Sequence, residues 1–250
     1  MKTVIIHGQS HKGSTYHIAH ELAEKIGGEI TEFFLPRDFG EFCLGCTNCF
    51  VDSEKKYPHY ESLSPITQAV DDAGVIILAS PVYVYHATGA MKAFLDHYGY
   101  RWMVHSPEGA MFRKQRVCIA TAAGAGVRST LKDMSHSLFF WGVARIYQYG
   151  LGVAVTDWNG VSAKKKAVID KKITAIAKQI VLWDGRVKPS PKTKGMFYIM
   201  RMMQKKCWNS RDVEYWQEQG WLEKNALGNC RTNRNITWEL STFEIWRNVL

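Results

Sequence analysis

Three cysteines stand at intervals of three in the stretch CLGCTNC: Cys43, Cys46 and Cys49. Thiolates at C-x2-C-x2-C spacing are ligands in zinc and iron–sulfur sites, and both kinds of site usually take four. The following window, FVDSEKKYPH, contains no fourth cysteine; Asp52, Tyr57 and His59 are its candidates to supply an oxygen or nitrogen instead. Cys118, Cys207 and Cys230 are distant, and Cys118 falls in an apolar run. Small soft side chains also pack well without a metal. The residues leave a cluster, zinc, a disulfide and plain packing open, with packing favoured.

Three further stretches carry chemistry. HGQSHKGSTYH (7–17) places Ser10, Lys12, Gly13, Ser14 and Thr15 where backbone N–H groups and a helix dipole would face outward. That arrangement favours a phosphate. It is neither G-x-G-x-x-G nor G-x-x-x-x-G-K-[ST], so a monophosphate suits it better than a dinucleotide or nucleoside triphosphate. SPVYVYHATGAMKAFLD (80–96) restricts the backbone at Ser80-Pro81 and offers Tyr83 and Tyr85 as flat surface for a planar ring. TAAGAGVRST (121–130) has small residues that let backbone approach a ligand edge. His11 is placed to aid an anion and His86 to donate to a ring or substrate; His7, at a strand end, reads as structural. Arg101, Trp102 and His105 are candidates for the rim of a pocket. No nucleophile elbow and no H-E-x-x-H is present.

The elements that must hold these loops alternate between strand and helix. Apolar runs predict strands at 3–8, 29–35, 74–80, 116–121 and 144–153. Helical stripes predict helices at 15–26, 88–98, 127–141 and 162–183, and Ser64-Pro65 reads as the cap and first residue of another, reaching 73. The long connection 36–63 is irregular, and such loops are usually functional. Strands each followed by a helix imply a parallel sheet covered on both faces, with ligands beyond the carboxyl ends of its strands. The three loops lie at such ends. After the linker GRVKPSPKTKG, the chain is rich in Trp, Met and Arg and predicts two or three helices acting as a clasp, a lid or a dimer arm.

Composition bounds the remainder. The chain has 250 residues, enough for one domain with an elaboration, and a formal net charge of +9. The basic residues form no stripe interleaved with aromatics, which argues against nucleic acid as a partner. No apolar run is long enough to span a bilayer, and MKTVIIHG reads as a strand rather than a secretory signal. A cytoplasmic thiol set is expected from the cysteine usage.

GQSHKGST, CLGCTNC, SPVYVYHATGAMKAFLDH and TAAGAG together resemble the flavodoxin-like NAD(P)H-dependent FMN reductases, near their iron–sulfur flavoprotein branch. The resemblance covers residues 1 to 160. It implies a flavodoxin-like three-layer sandwich with a five-stranded parallel sheet of order 2-1-3-4-5, an FMN-binding domain over 1–185 and a helical extension over 186–250. FMN would be the cofactor and NAD(P)H the cosubstrate. A hydride would pass through the flavin to a small acceptor such as a quinone, a flavin, or a nitro or azo compound. Ser10, Lys12, Gly13, Ser14 and Thr15 would hold the phosphate. Pro81, Val82, Tyr83 and Val84 would line the ring, and Thr121, Ala122, Ala123 and Gly124 would close its other edge. Cys43, Cys46 and Cys49 would be the ligands of any cluster, but the missing fourth cysteine favours a metal-free loop. A homodimer or homotetramer is implied. An electron carrier of flavodoxin or iron–sulfur flavoprotein type is the alternative, and a metal-binding redox sensor a third.

Overall fold

In a computed structural model, the described residues are 1–155, 157–207 and 209–222. Five strands, β1 (Lys2–His7), β2 (Glu29–Phe34), β3 (Val75–Pro81), β4 (Gln115–Ala122) and β5 (Arg145–Gly152), form one sheet in the order β2-β1-β3-β4-β5. Every neighbouring pair is parallel, with Ile6 opposite both Phe33 and Leu78. The eight helices among the described residues are α1 (Ser14–Ile26), α2 (Asn48–Val51), α3 (Tyr60–Asp72), α4 (Gly89–Asp96), α5 (Val127–Phe140), α6 (Ala163–Leu182), α7 (Pro191–Lys205) and α8 (Ser210–Glu218). This is the flavodoxin-like sandwich that the sequence implies.

The central strands are apolar throughout because helices cover both faces. β4 is buried at all its positions and β3 at all but Pro81. Alternation along the strands divides the core. Ile5, Ile77 and Ile119 pack against α1 and α6, whereas Ile6, Leu78 and Cys118 pack against α3, α4 and α5. α1 therefore leaves β1 onto one face while α4 leaves β3 onto the other. The crevice between those departures is the switch point at which such sheets bind ligands.

One expectation needs correction. α3 begins at Tyr60, and Pro65 lies inside it rather than at its first position. A proline there deprives the carbonyl four residues earlier of its N–H donor. Ser64 replaces it, its hydroxyl donating to the Glu61 carbonyl at 3.2 Å. On α6 the buried stripe is Ile169, Ile173, Ala177 and Ile180, while Val181 is exposed.

α7 and α8 pack on the body through Met196, Met200, Val213 and Trp216, against Met103 and Phe140. The candidate rim residues have internal partners. Trp102 stacks on Phe140 at 4.4 Å and His105 binds Asp212 at 2.9 Å. Arg101 makes a two-point pair with Asp71 at 2.5 and 2.7 Å. Residues 223–250, with Cys230 and ITWELSTFEIW, lie outside the described residues.

One buried cation lacks a close carboxylate. Arg116 is fully buried in β4; its guanidinium donates to the Gln115 carbonyl at 2.8 Å and to Met111 Sδ at 2.9 Å, and its Nε has no partner. Burial pushes its pKa down to about 9. Replacing such a charge by an apolar side chain of similar length is often neutral or stabilising. Arg116→Met is expected to leave the urea unfolding midpoint unchanged or raise it. A loss above about 1 kcal/mol, the net worth of an ordinary hydrogen bond, would show that the guanidinium contributes more than its burial costs.

Candidate active site

At the carboxyl end of the sheet, three loops are tied together by hydroxyl groups. The Thr88 hydroxyl donates to the Gly8 carbonyl at 2.6 Å and accepts from Met91 N–H at 3.1 Å, so it both caps α4 and holds the end of β1. Ser80 Oγ accepts from Thr88 N–H at 3.1 Å and donates to the Pro81 carbonyl at 2.9 Å. Gly8 is needed for this closeness, since a Cβ there would stand 2.9 Å from Thr88 Oγ1 and 3.1 Å from Ser80 Oγ. Thr15 and Thr121 join the first and third loops through their hydroxyls at 2.5 Å. One of those two hydroxyls donates to the other, so one proton remains for a further acceptor.

The first loop leaves hydrogen-bond donors open. Gly13 is the N-cap of α1 and gives no side-chain cap. The first-turn N–H groups are thus left for a ligand. Ser14 is buried, and its Oγ has no hydrogen-bond partner. A buried hydroxyl without a partner is costly unless a ligand completes it, and a phosphate oxygen would do so. Lys12 is exposed beside the loop, its Nζ 4.9 Å from the centre of the Tyr16 ring. Ser10 turns toward the Leu35 carbonyl at 3.5 Å. His7 belongs to the scaffold: it bonds Glu32 at 2.9 Å and stacks on Phe34 at 4.5 Å. Burial, against the opposing pull of Glu32, holds its pKa below the ordinary 6.5.

The second loop is a tight hairpin. Tyr83 and His86 exchange backbone hydrogen bonds at 2.9 and 3.0 Å, and the central residues Val84 and Tyr85 have φ of 49° and 67°. Two positive φ values make this a type I′ turn, which ordinarily selects Asn-Gly. A β-branched valine there is strained. The strain is held from beneath by α5. Ser129 Oγ donates to the Tyr85 carbonyl, and Asp133 accepts from Ala87 N–H at 3.1 Å while pairing with His86 Nδ1 at 2.9 Å. Gly126, at φ 91°, lies so close under the hairpin that a Cβ would be 2.5 Å from Val82 and 2.8 Å from the Tyr85 backbone. The result is an exposed wall of Tyr83, Val84 and Tyr85 over the crevice, with Val84 93% exposed. Tyr83 is fixed by its hydroxyl donating to Gln9 Oε1 at 2.6 Å.

The third loop follows β4. Thr121 and Ala122 are buried, whereas Ala123 and Gly124 are exposed; a Cβ on Gly124 would meet nothing within 4 Å. Ser14, Thr15 and Thr121 are brought together, with the hairpin linked to the first loop through Gln9. His86 is committed to Asp133 rather than to a ligand. Gln9, Thr88, Ser129 and Asp133 escape sequence reasoning. Thr88 before Gly89 has the pattern of an N-cap, but Asp133 lies far along the chain and gives no local signal.

The cysteines are arranged differently from a metal centre. Cys43 and Cys46 are exposed and Cys49 is half-buried. Burial, and then the neighbouring Cys43 and Cys46, push the Cys49 thiol up to about 11, so it stays protonated at neutral pH. Of the substitute ligands, Asp52 pairs with Lys56 at 2.6 Å, Tyr57 is buried with its ring edge-on to Tyr60 at 6.0 Å, and the buried His59 Nε2 has no hydrogen-bond partner. His59 Nδ1 stands 3.8 Å from Glu41. Among the described residues no three His, Cys, Asp or Glu side chains are grouped to hold a metal ion. Three cysteines fall one short of the four ligands such a cluster usually takes.

A family model described as NADPH-dependent FMN reductase matches residues 1–156. The chain belongs to that family. It is an NAD(P)H-dependent FMN oxidoreductase. A relative described as an iron–sulfur flavoprotein, from Archaeoglobus fulgidus, is 24% identical over 206 residues, covering 80% of this chain and 88% of its own. Among solved structures, a flavone reductase aligns with a TM-score of 0.55 at 16% identity, over 76% of this chain and 66% of that one. An FMN-dependent NADH-azoreductase from Bacillus anthracis, in complex with FMN, aligns with a TM-score of 0.52 at 16% identity, over 72% of this chain and 100% of that one. An NAD(P)H:quinone oxidoreductase from Methanothermobacter marburgensis aligns with a TM-score of 0.55 at 13% identity, over 72% and 96%. At these identities the structural likeness speaks for the fold. No described helix is long and apolar enough to cross a membrane.

The hairpin and His7 give two predictions. Replacing Val84-Tyr85 by Asn-Gly relieves backbone strain of about 1–3 kcal/mol per residue, so the thermal midpoint is expected to rise while FMN affinity falls; a lower midpoint would show that the turn is unstrained. For His7, the unfolded chain takes up a proton as pH falls through 6.5 while the native ring resists it. Stability is therefore lost on the acid side of 6.5. Urea unfolding at pH 7.5 and 5.5 is expected to show a smaller acid-side loss in His7→Gln than in the wild type.

Proposed function

We propose that the protein uses bound FMN to reduce a small planar acceptor, a quinone, flavin, nitro compound or azo compound, at the expense of NAD(P)H. The observation that carries this is the uncapped N-terminus of α1 with the buried, unpartnered Ser14 hydroxyl beside the tyrosine hairpin. Ser14 and the first-turn N–H groups of α1 hold the phosphate, with Lys12, Gly13, Ser10 and the remaining Thr15–Thr121 proton around it. Pro81, Val82, Tyr83 and Val84 form the wall for the ring. Ala122, Ala123 and Gly124 present backbone rather than side chains to its other edge. Bound FMN supplies two-electron hydride chemistry. The chain orients the ring and leaves one face open to reactants.

Neighbouring features support two further readings. Phe42, Leu44 and Val51 on the cysteine loop are exposed, as is the hairpin. Exposed apolar side chains on two loops favour a homodimer or homotetramer. The helices after residue 185 act as a clasp. They grip the 48–56 segment through Asn209, donating to the Phe50 carbonyl at 3.1 Å, and through Arg211, paired with Glu54 at 3.1 Å.

Anaerobic titration with NADPH and NADH, followed by each acceptor class, tests the reading. The protein is expected to bind one FMN and to oxidise a nicotinamide only when an acceptor is present. Ser14→Ala is expected to weaken FMN about tenfold, the effect of one charge-assisted hydrogen bond, and to leave riboflavin binding unchanged. A protein that takes up no FMN, or an equal loss for both flavins, overturns the assignment. Stoichiometric iron in the purified protein would favour an electron carrier instead.

A further inference from the structure

The positive charge of the chain is concentrated in one segment. Between Asp184 and Asp212 there is no Asp or Glu and there are eight Lys or Arg, in a chain whose formal net charge is +9. That segment contains the linker after α6 and the whole of α7. Among the described residues, Arg186, Lys188, Lys192, Lys194 and Arg201 form no ion pair. Charge left unneutralised over such a run attracts an anionic partner.

α7 has two unlike faces. Thr193, Met196, Met200 and Gln204 are buried against the body. On the opposite side Lys194, Tyr198, Arg201, Met202 and Lys205 recur at intervals of three and four, and so form one outward stripe. At 1.5 Å per residue the stripe is about 16 Å long. Tyr198 is 56% and Met202 58% exposed, with a cation before, between and after them. A basic helix with apolar side chains on the same outer face can lie along a lipid surface, its apolar tips in the headgroup layer and its charges at the phosphates. A tyrosine suits that boundary because its ring is apolar and its hydroxyl polar.

The start of α7 adds a concave seat. Lys192 closes a groove of ≈ 410 Å³ whose wall on α5 carries Arg128, Lys132 and His136, and no carboxylate lines it. A headgroup phosphate entering this groove meets cations on both helices.

We propose that the outward stripe of α7 and this groove seat the protein on a membrane surface containing anionic lipid. The stripe lies on the convex side of a surface helix and so presents itself to a plane. Nucleic acid would use the charges and leave Met202 idle. Where the crevice reduces quinones as proposed above, this seating brings it to acceptors with apolar tails. That consequence rests on the earlier reading; the binding itself does not.

Flotation of the full chain with vesicles tests the proposal. One set is phosphatidylcholine alone, and the other has about a quarter of it replaced by phosphatidylglycerol. The protein is expected to float with the anionic vesicles only and to be released by about 0.5 M salt, which screens the charges. The triple variant Lys188→Gln, Lys192→Gln, Lys194→Gln is expected to weaken binding on the order of a hundredfold. The double variant Tyr198→Ser, Met202→Ser is expected to weaken it about tenfold. Both sets of substitutions lie outside the flavin crevice, so FMN uptake and the rate with a water-soluble quinone are expected to match the wild type and serve as the check on folding. Failure to float with anionic vesicles, equal flotation with both kinds, or a triple variant that binds like the wild type overturns the proposal. So does a double variant that binds like the wild type, since that would assign the charge to an acidic protein or a nucleic acid. Loss of FMN uptake or quinone reduction in the wild type overturns the reading of the crevice instead, and the flotation result stands.

Discussion

The site depends on a divergence in the sheet. β1 sends its chain to one face and β3 sends its chain to the other, and the Thr88 hydroxyl bridges the gap between them. That hydroxyl satisfies a carbonyl at the end of one strand and an N–H at the start of a helix on the opposite side. Without such a tie, two buried polar groups would face a crevice with no partner, at a cost comparable to that of the hydrogen bonds themselves. Gly8 keeps the two strand ends close enough for the bond, and Ser80 holds the backbone of Thr88 in place. Everything that forms the ligand crevice hangs from this small knot of oxygens.

The tyrosine hairpin shows how strain can be carried by distant residues. Val84 and Tyr85 adopt backbone angles that neither residue prefers. The turn stays because α5 grips it through Ser129 and Asp133 and because Gly126 lets it lie close. Local preference loses to these tertiary ties, and the outcome is a rigid apolar edge projecting into solvent.

Much of this was legible in the sequence. β3 and β4 announced themselves as uninterrupted apolar runs, the alternation of strand and helix led to a parallel sheet covered on both faces, and the resemblance to the flavodoxin-like reductases supplied the strand order. The loop proposed to hold a phosphate stood out because small hydroxylated residues collected between a strand and a helix. What stayed hidden was of two kinds. Partners remote along the chain, such as Asp133 for His86 and Asp212 for His105, leave no local pattern. Helix starts governed by a compensating side chain also mislead, as Ser64 does by supplying the hydrogen bond that Pro65 cannot. Arg101 and His105 looked like rim residues because cationic side chains near a ligand loop invite that reading, yet both are consumed by internal ion pairs.

The contacts of α7 and α8 with the body follow an asymmetric pattern. Gln204 donates to the Val104 carbonyl, Trp216 to that of His105, Tyr215 to that of Pro107 and Asn209 to that of Phe50. In each case the tail contributes a side chain and the body only its backbone. A backbone carbonyl is the same whatever residue bears it. These four bonds survive a change of residue in the body but not of the Gln, Trp, Tyr or Asn in the tail, while the pairs Asp212–His105 and Arg211–Glu54 tie side chain to side chain. Related chains bearing such a tail should therefore keep His105 and Glu54 alongside the four tail residues and vary more readily at Pro107.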